Sequence, residues 1–336
     1  MEMKEPCNSC GENGKLPLLM NPKAGSLFRS GLDSWLKQHA EGLRIIPTES
    51  ADDLTEQCRR LADAGESVVL AAGGDGTLMR AAQGLIGTDT ALGIFPCGTM
   101  NVFAREMGIG SRNFDLALRA AQGGARQMVD VFTVNGAPFL QLAGFGPDAT
   151  IVKLIKPWMK RHLGAFSHAL TAIQVATSHL PVITVTLPNG ETVQGTQVIF
   201  GNGKRYGGEG HLFAGAKYDD GVLDAAVFGM EGAGILYEIL SYMVLNGIDD
   251  HNLGDATKMC RMEACTVSAD ASLDYELDGD YAGTIRPGEE AVIQRLPRQL
   301  KVCVLEEQVP VTPLDHVKAH PMVRAFMKRL QDIKDY

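Results

Sequence analysis

An apolar run that stops on two glycines and restarts as a helix leaves this chain few folds to choose from. Val68 to Ala72 has the length and composition of a buried strand. Gly73 and Gly74 end it where the chain can turn sharply and admit another group close to its backbone. Asp75, Gly76 and Thr77 follow, and Leu78 to Ala82 reads as the first turns of a helix. A glycine turn between strand and helix aims free N–H groups at one point, which suits a phosphate. The Asp75 carboxylate would repel a bare phosphate, so it points to a metal ion or a proton transfer at the same place.

The same grammar repeats on both sides of this turn. Strands are expected at Leu16–Met20, Leu43–Ile46 and Ala91–Phe95, and helices at Ser30–Ala40, Ala51–Ala64, Thr77–Leu85, Met100–Met107 and Phe114–Ala121. Repeated βα units imply a mainly parallel sheet with helices on both faces, with ligands at the carboxyl ends of the strands. We therefore expect a nucleotide-binding α/β domain over residues 15–133, after a frayed, polar stretch at 1–14. Beyond it the pattern becomes β-rich. Asn135-Gly136 is a hairpin signal, and short strands recur up to Leu300–Leu305. A sandwich domain over 134–306 follows, interrupted by helices near 157–179 and 234–246. The basic amphipathic stretch within 307–336 is expected to return to the first domain.

Composition excludes several classes. A formal net charge of −9 over 336 residues argues against general nucleic-acid binding. No segment reaches the roughly 18 apolar residues of a membrane span, and Met1 to Pro6 has no apolar core of the signal-peptide kind. A cytoplasmic protein is expected, and its seven scattered cysteines suit a reducing compartment. Cys7 and Cys10 form a C-x-x-C, but a zinc site needs two more ligands. Cys260 and Cys265 would supply them only by a coincidence of folding.

Two more turns suit phosphate. Asn21-Pro22-Lys23-Ala24-Gly25-Ser26 follows the first strand and offers Lys23 with free N–H groups. Pro96-Cys97-Gly98-Thr99-Met100-Asn101 follows the fourth, with Thr99 as a hydroxyl donor. Neither is a P-loop, and Gly74-Asp75-Gly76 lacks the third glycine of a dinucleotide fingerprint. Three such turns on one sheet edge point to a nucleoside triphosphate. In the second half, Asp219-Asp220-Gly221 could hold a hard cation or be a solvated turn. Asp278-Gly279-Asp280 could supply a base and an orienting group, or be a plain β-turn.

In their order, these blocks resemble the diacylglycerol kinase catalytic-domain superfamily. The residues that carry the resemblance include Asn21-Pro22-Lys23-Ala24-Gly25, Gly73-Gly74-Asp75-Gly76-Thr77, Gly98-Thr99-Met100-Asn101, Gly144-Phe145-Gly146-Pro147-Asp148, Gly201-Asn202, Tyr206-Gly207-Gly208, Asp219 to Asp224 and Asp278-Gly279-Asp280. The resemblance implies an active site in the cleft between the domains, where ATP meets a lipid hydroxyl. It implies that Gly73 to Met79, Thr99 and Thr48 bind nucleotide. Asp75 would act near Mg²⁺ and the phosphates, Asp280 would accept the proton (with Asp75 the second candidate), and a structural Mg²⁺ would sit on Asp220 and the backbone oxygens of Lys217 and Val222.

Three positions depart from the family pattern. Asp280 stands where Glu is usual, Met79 where Asn is common and Val102 where Asp is common. Two other functions therefore stand beside an ATP- and Mg²⁺-dependent lipid kinase: a kinase of a soluble hydroxyl, such as an NAD kinase, and a non-catalytic nucleotide- or lipid-binding regulator. The cationic and apolar mixture of Ile151 to Arg161 suits either peripheral contact with a membrane surface or an interdomain helix.

Overall fold

The computed structural model describes residues 14–123, 125–154, 180–207, 210–229, 254 and 256–305, with 234, 235, 238, 239, 242, 247 and 248. The Cys7/Cys10 pair, the expected helix near 157–179 and the basic tail lie outside the described residues.

The first half runs β1 (Leu16–Met20), α1 (Gly25–Ser30), α2 (Leu32–His39), β2 (Leu43–Pro47), α3 (Ala51–Asp63), β3 (Val68–Gly73) and α4 (Asp75–Leu85). It continues with β4 (Ala91–Pro96), α5 (Val102–Glu106), α6 (Phe114–Gln122) and β5 (Arg126–Val129). β3 and β4 are buried along their whole length, as strands covered by helices on both faces must be. The helix expected over Ser30–Ala40 is α2, which starts at Leu32 because Gly31, with φ of +83°, separates it from α1.

The second half holds β6 (Phe132–Val134), β7 (Ala137–Phe139), β8 (Leu142–Phe145), α7 (Pro147–Leu154), β9 (Ile183–Thr186), β10 (Thr192–Gly195) and β11 (Gln197–Gly201). Then come β12 (Arg205–Tyr206), β13 (Gly210–His211), β14 (Leu223–Phe228), β15 (Thr257–Met262), β16 (Ala264–Ala269) and β17 (Leu273–Leu277). The last are β18 (Asp280–Ile285), β19 (Ala291–Arg295) and β20 (Leu300–Cys303).

The first sheet has the order β2-β1-β3-β4-β20-β5, parallel through β4. β20 corrects the expected domain boundary. It was grouped with the second domain, yet it pairs antiparallel with β5 and touches β4 at Val302↔Leu92. Leu300, Val302 and Cys303 are thereby buried in the first core.

Two antiparallel sheets, β10-β9-β16-β19-β6-β7 and β15-β14-β11-β8-β17-β18, form the sandwich. Phe132, Val185, Val267 and Ile293 from one sheet meet Phe145, Phe200, Ala225 and Leu273 from the other in a shared core. The outer face of the second sheet is covered as well: Ile199, Ala226 and Phe228 pack with Leu212, Phe213 and Tyr242. Met79, on α4, packs against both the first core and the sandwich core, so α4 lies at the junction of the two halves. Among the described residues, no helix is long and apolar enough to cross a membrane.

Candidate functional site

In the first sheet the chain steps from β1 to one side to make β2 and to the other to make β3. The carboxyl ends of β1 and β3 therefore diverge, which is where sheets of this kind open a crevice. A cavity of about 310 Å³ lies there. Asn21 after β1, Thr48 after β2, and Gly73, Gly76 and Thr77 at the β3–α4 turn all line it. Thr48 is fixed by its N–H, which donates to the Met20 carbonyl at 2.9 Å.

The turn works because glycines face each other. A Cβ on Gly98 would stand 2.6 Å from the Gly74 Cα, closer than real atoms approach, so only glycine lets the β3–α4 and β4–α5 loops touch. Asp75 completes this clamp, its Oδ1 accepting the Phe103 N–H at 3.1 Å. Burial pushes its carboxyl above the ordinary range, against the pull of the α5 backbone N–H groups. Asp75 is not among the residues lining the cavity. Its carboxylate holds the neighbouring loop rather than facing the space where a substrate would sit.

Asn101 is likewise turned inward. Its Oδ1 accepts the Gly98 N–H at 2.9 Å, and its Nδ2 donates to the Gly98 carbonyl and to Ser111 Oγ. Lys23, Gly25 and Thr99 are exposed and stand outside the cavity lining. In the first of these turns, the Lys23 N–H is bonded to Asn21 Oδ1 at 2.9 Å.

Asp280 comes from the other half of the molecule. Its strand, β18, follows β17 through the two-residue turn Asp278-Gly279, whose φ values of +51° and +86° are those of a type I′ hairpin. Two carboxylates pin that turn. Asp278 accepts the N–H groups of Leu140, Gln141 and Leu142 at 2.9, 2.8 and 3.0 Å. Glu276, 1% exposed, accepts the Gly279 N–H at 2.6 Å. The Asp280 side chain is exposed, makes no hydrogen bond or ion pair with another described residue, and projects over Gly76 of α4. A Cβ on Gly76 would lie 3.3 Å from its Oδ2. The hairpin thus delivers a carboxylate to the rim of the first cavity.

A second cavity, of about 200 Å³, opens on the far side of Asp280. Met79, Pro138, Leu277, Tyr281 and Ala282 give it an apolar wall. Gly76, Arg80 and Asp280 line both spaces. Arg80 has no place among the site residues expected from sequence. Its signal was its position four residues after Gly76, which puts the two on one face of the helix.

Behind the hairpin lies a group of buried acids. A Cβ on Gly144 would stand 2.8 Å from Asp148 Oδ2 and 2.9 Å from Glu276 Oε1, so these carboxyls flank one glycine. The Tyr206 hydroxyl favours the ionised form of Asp148. Burial raises both carboxyls, and for Glu276 the neighbouring Asp148 charge raises it further. Asp278 is pushed up to about 6 by burial, in spite of its three N–H donors.

An acid with a raised folded-state pKa favours the fold most when neutral. Its contribution is greatest below the unfolded value, near 3.8 for Asp, falls as pH rises through about 6, and stays low above that. Glu276→Gln keeps an acceptor for Gly279 and turns an amide donor toward Asp148. The variant should melt higher than wild type at pH 8, with the difference shrinking toward pH 4. Thermal melts across that range check this. A pH-independent difference would sink it.

The acidic loop expected to hold Mg²⁺ is folded around a cation of its own. Asp220 Oδ2 accepts from Arg261 at 2.6 Å and Oδ1 from the Val222 N–H at 3.3 Å, while Arg261 also reaches Asp224 at 3.1 Å. The Gly221 N–H is taken by Asp130 at 2.8 Å. Of the ligands expected for Mg²⁺, Asp220 is the one side chain, and to bind a cation it would have to share or give up its bonds with Arg261 and the Val222 N–H.

A sheet with a glycine turn at its switch point, facing a sandwich hairpin that carries a carboxylate, is the architecture of a two-domain kinase fold. The chain belongs to the diacylglycerol kinase catalytic-domain family, whose model matches residues 15–134. It is 31% identical over 233 residues to a Chromohalobacter salexigens protein named "Probable lipid kinase YegS-like", covering 67% of this chain and 74% of that one. It is 27% identical over 282 residues to the diacylglycerol kinase of Bacillus subtilis, covering 81% and 91% respectively. A crystal structure of a diacylglycerol kinase from Bacillus anthracis shares its fold, with a TM-score of 0.65, 21% identity, and coverage of 87% of this chain and 97% of that one.

Proposed function

We propose that the protein transfers the γ-phosphoryl group of MgATP to a hydroxyl of a membrane lipid of the diacylglycerol type. The observation that carries this reading is the meeting of two cavities at one carboxylate. The cavity beside the β3–α4 turn, with Asn21, Thr48 and Thr77 in its lining, suits the triphosphate, and the α4 N-terminus gives it positive partial charge. The wall of Met79, Pro138 and Leu277 in the second cavity suits the first carbons of an acyl chain. Asp280 stands between them.

Phosphoryl transfer asks the protein mainly for alignment and charge neutralisation. Mg²⁺ enters with the nucleotide as part of the substrate and offsets phosphate charge. Asn21, Thr48 and Thr77 offer polar groups to the nucleotide. Asp280 accepts the proton of the acceptor hydroxyl as its oxygen bonds to the γ-phosphorus and the bond to the β-phosphate oxygen breaks. ADP and a phosphorylated lipid leave. The lipid must be met at a membrane surface, so peripheral contact during turnover belongs to the same proposal.

The test is incubation with labelled ATP and Mg²⁺ against a panel of lipids in mixed micelles, with NAD as a soluble acceptor. Label in a lipid is the expected result. Label in NAD alone would assign the soluble-acceptor reaction. Nucleotide binding with no transfer would assign a regulator.

A further inference from the structure

Resting on that phosphotransfer reading, we propose that Arg80 is the side chain that grips the γ-phosphoryl group during its passage between the two cavities. Among the described residues lining either cavity, Arg80 carries the one cationic side chain. It also touches both spaces, as do Gly76 and Asp280. The group in transit must cross the boundary that these three residues form. As it crosses, its three equatorial oxygens carry negative charge that a guanidinium can bind through paired N–H groups.

The geometry around Arg80 suits a side chain that changes partner. Its backbone is tied down: Thr55 Oγ1 on α3 donates to the Arg80 carbonyl at 2.8 Å. Its head is held loosely. Arg80 Nη1 stands 3.7 Å from Asp52 Oδ1, with the two side chains 47% and 94% exposed. An ion pair so open to water contributes little, so exchanging Asp52 for a phosphate costs little. Asp280 and Arg80 share both linings without pairing with each other, so the carboxylate remains available for the acceptor's proton. Gly76 keeps the space between them open, because any side chain there would press on Asp280.

Chemically, no bond to Arg80 forms or breaks. The phosphorus–oxygen bond to ADP breaks, the bond to the acceptor oxygen forms, and the proton passes to Asp280. Arg80 supplies positive charge and alignment.

The test separates this role from the lipid reading by beginning without an acceptor. Affinities for MgATP and MgADP are measured by titration for wild type, Arg80→Gln, Arg80→Lys and Asp52→Asn, with thermal melts alongside. Arg80→Gln should lose about tenfold or more in MgATP affinity and little in MgADP affinity, since only ATP carries the γ-phosphate. Arg80→Lys should recover part of the preference, and Asp52→Asn should keep all of it. Equal losses for both nucleotides in Arg80→Gln, or the same loss in Asp52→Asn, would show that Arg80 merely braces α3 and would overturn the proposal. So would a wild-type chain that binds no ATP. If the preference falls as expected while no lipid is phosphorylated, Arg80's role stands and the acceptor assignment fails.

Discussion

Asp280→Asn is expected to slow phosphoryl transfer by about 10²- to 10⁴-fold, the usual contribution of a positioned general base, while leaving the melting temperature and the affinity for MgATP unchanged. The reasons are structural. The Asp280 carboxylate is exposed and bonded to no other described residue, so an isosteric amide removes no folding contact. The first cavity reaches the β3–α4 turn and Thr48, which bind nucleotide in our reading, without needing that carboxylate. A fall in kcat with little change in KM for ATP would place its action in the chemical step. Asp280→Glu should keep substantial activity, because the longer side chain extends from the same hairpin into the same opening. A variant Asp280→Asn with wild-type turnover would mean that transfer proceeds without a protein base at this position, leaving Asp75 as the second candidate. Asp75, however, is engaged with the Phe103 N–H at 3.1 Å and would have to leave that bond to serve.

The elements that sequence made legible are those whose evidence is local. β1 to β4 and the helices between them follow from apolar runs and helical spacing within a dozen residues. The Asn135-Gly136 turn follows from two residues, and its φ values of +49° and +83° bear it out. What was not legible depends on partners distant in the chain. Leu300–Leu305 reads as a strand, but nothing in its pattern says that it leaves the sandwich and pairs with β5. Arg261 lies on β15, a strand absent from the sequence reading, directly opposite Asp224 in the β14–β15 register. That pairing gives the acidic loop its counter-charge. Side-chain direction was equally hidden. Asp75 and Asn101 sit in the right turns, yet both spend their polar atoms on the neighbouring backbone. Asp280, called from a motif that alone reads as a β-turn, reaches the cavity because the turn is type I′ and pinned from below.

That pinning makes Asp278→Ala the most costly substitution expected in the sandwich. Three backbone N–H groups, from Leu140, Gln141 and Leu142, lose their acceptor together. A buried donor left unpaired costs about 1–3 kcal/mol, and losses at one shared acceptor do not add fully. A further penalty comes from φ of +51° at this position, which Asp tolerates better than Ala. A total destabilisation of about 3 kcal/mol or more is expected, read as a fall in melting temperature and in denaturant midpoint. Asp278→Asn should cost much less. Its amide oxygen, placed at Oδ1, keeps the bonds from Gln141 and Leu142, it tolerates the positive φ, and only the Leu140 N–H is stranded. Removing a carboxyl that burial has pushed up to about 6 offsets part of that loss above this pH. Activity separates support from chemistry here. Asp278→Ala should lose activity and stability together, because the turn that aims Asp280 is no longer held, whereas Asp280→Asn loses activity alone. Equal stabilities for the Ala and Asn variants would mean that water satisfies the three N–H groups, and that the hairpin is held by Glu276 and strand pairing instead.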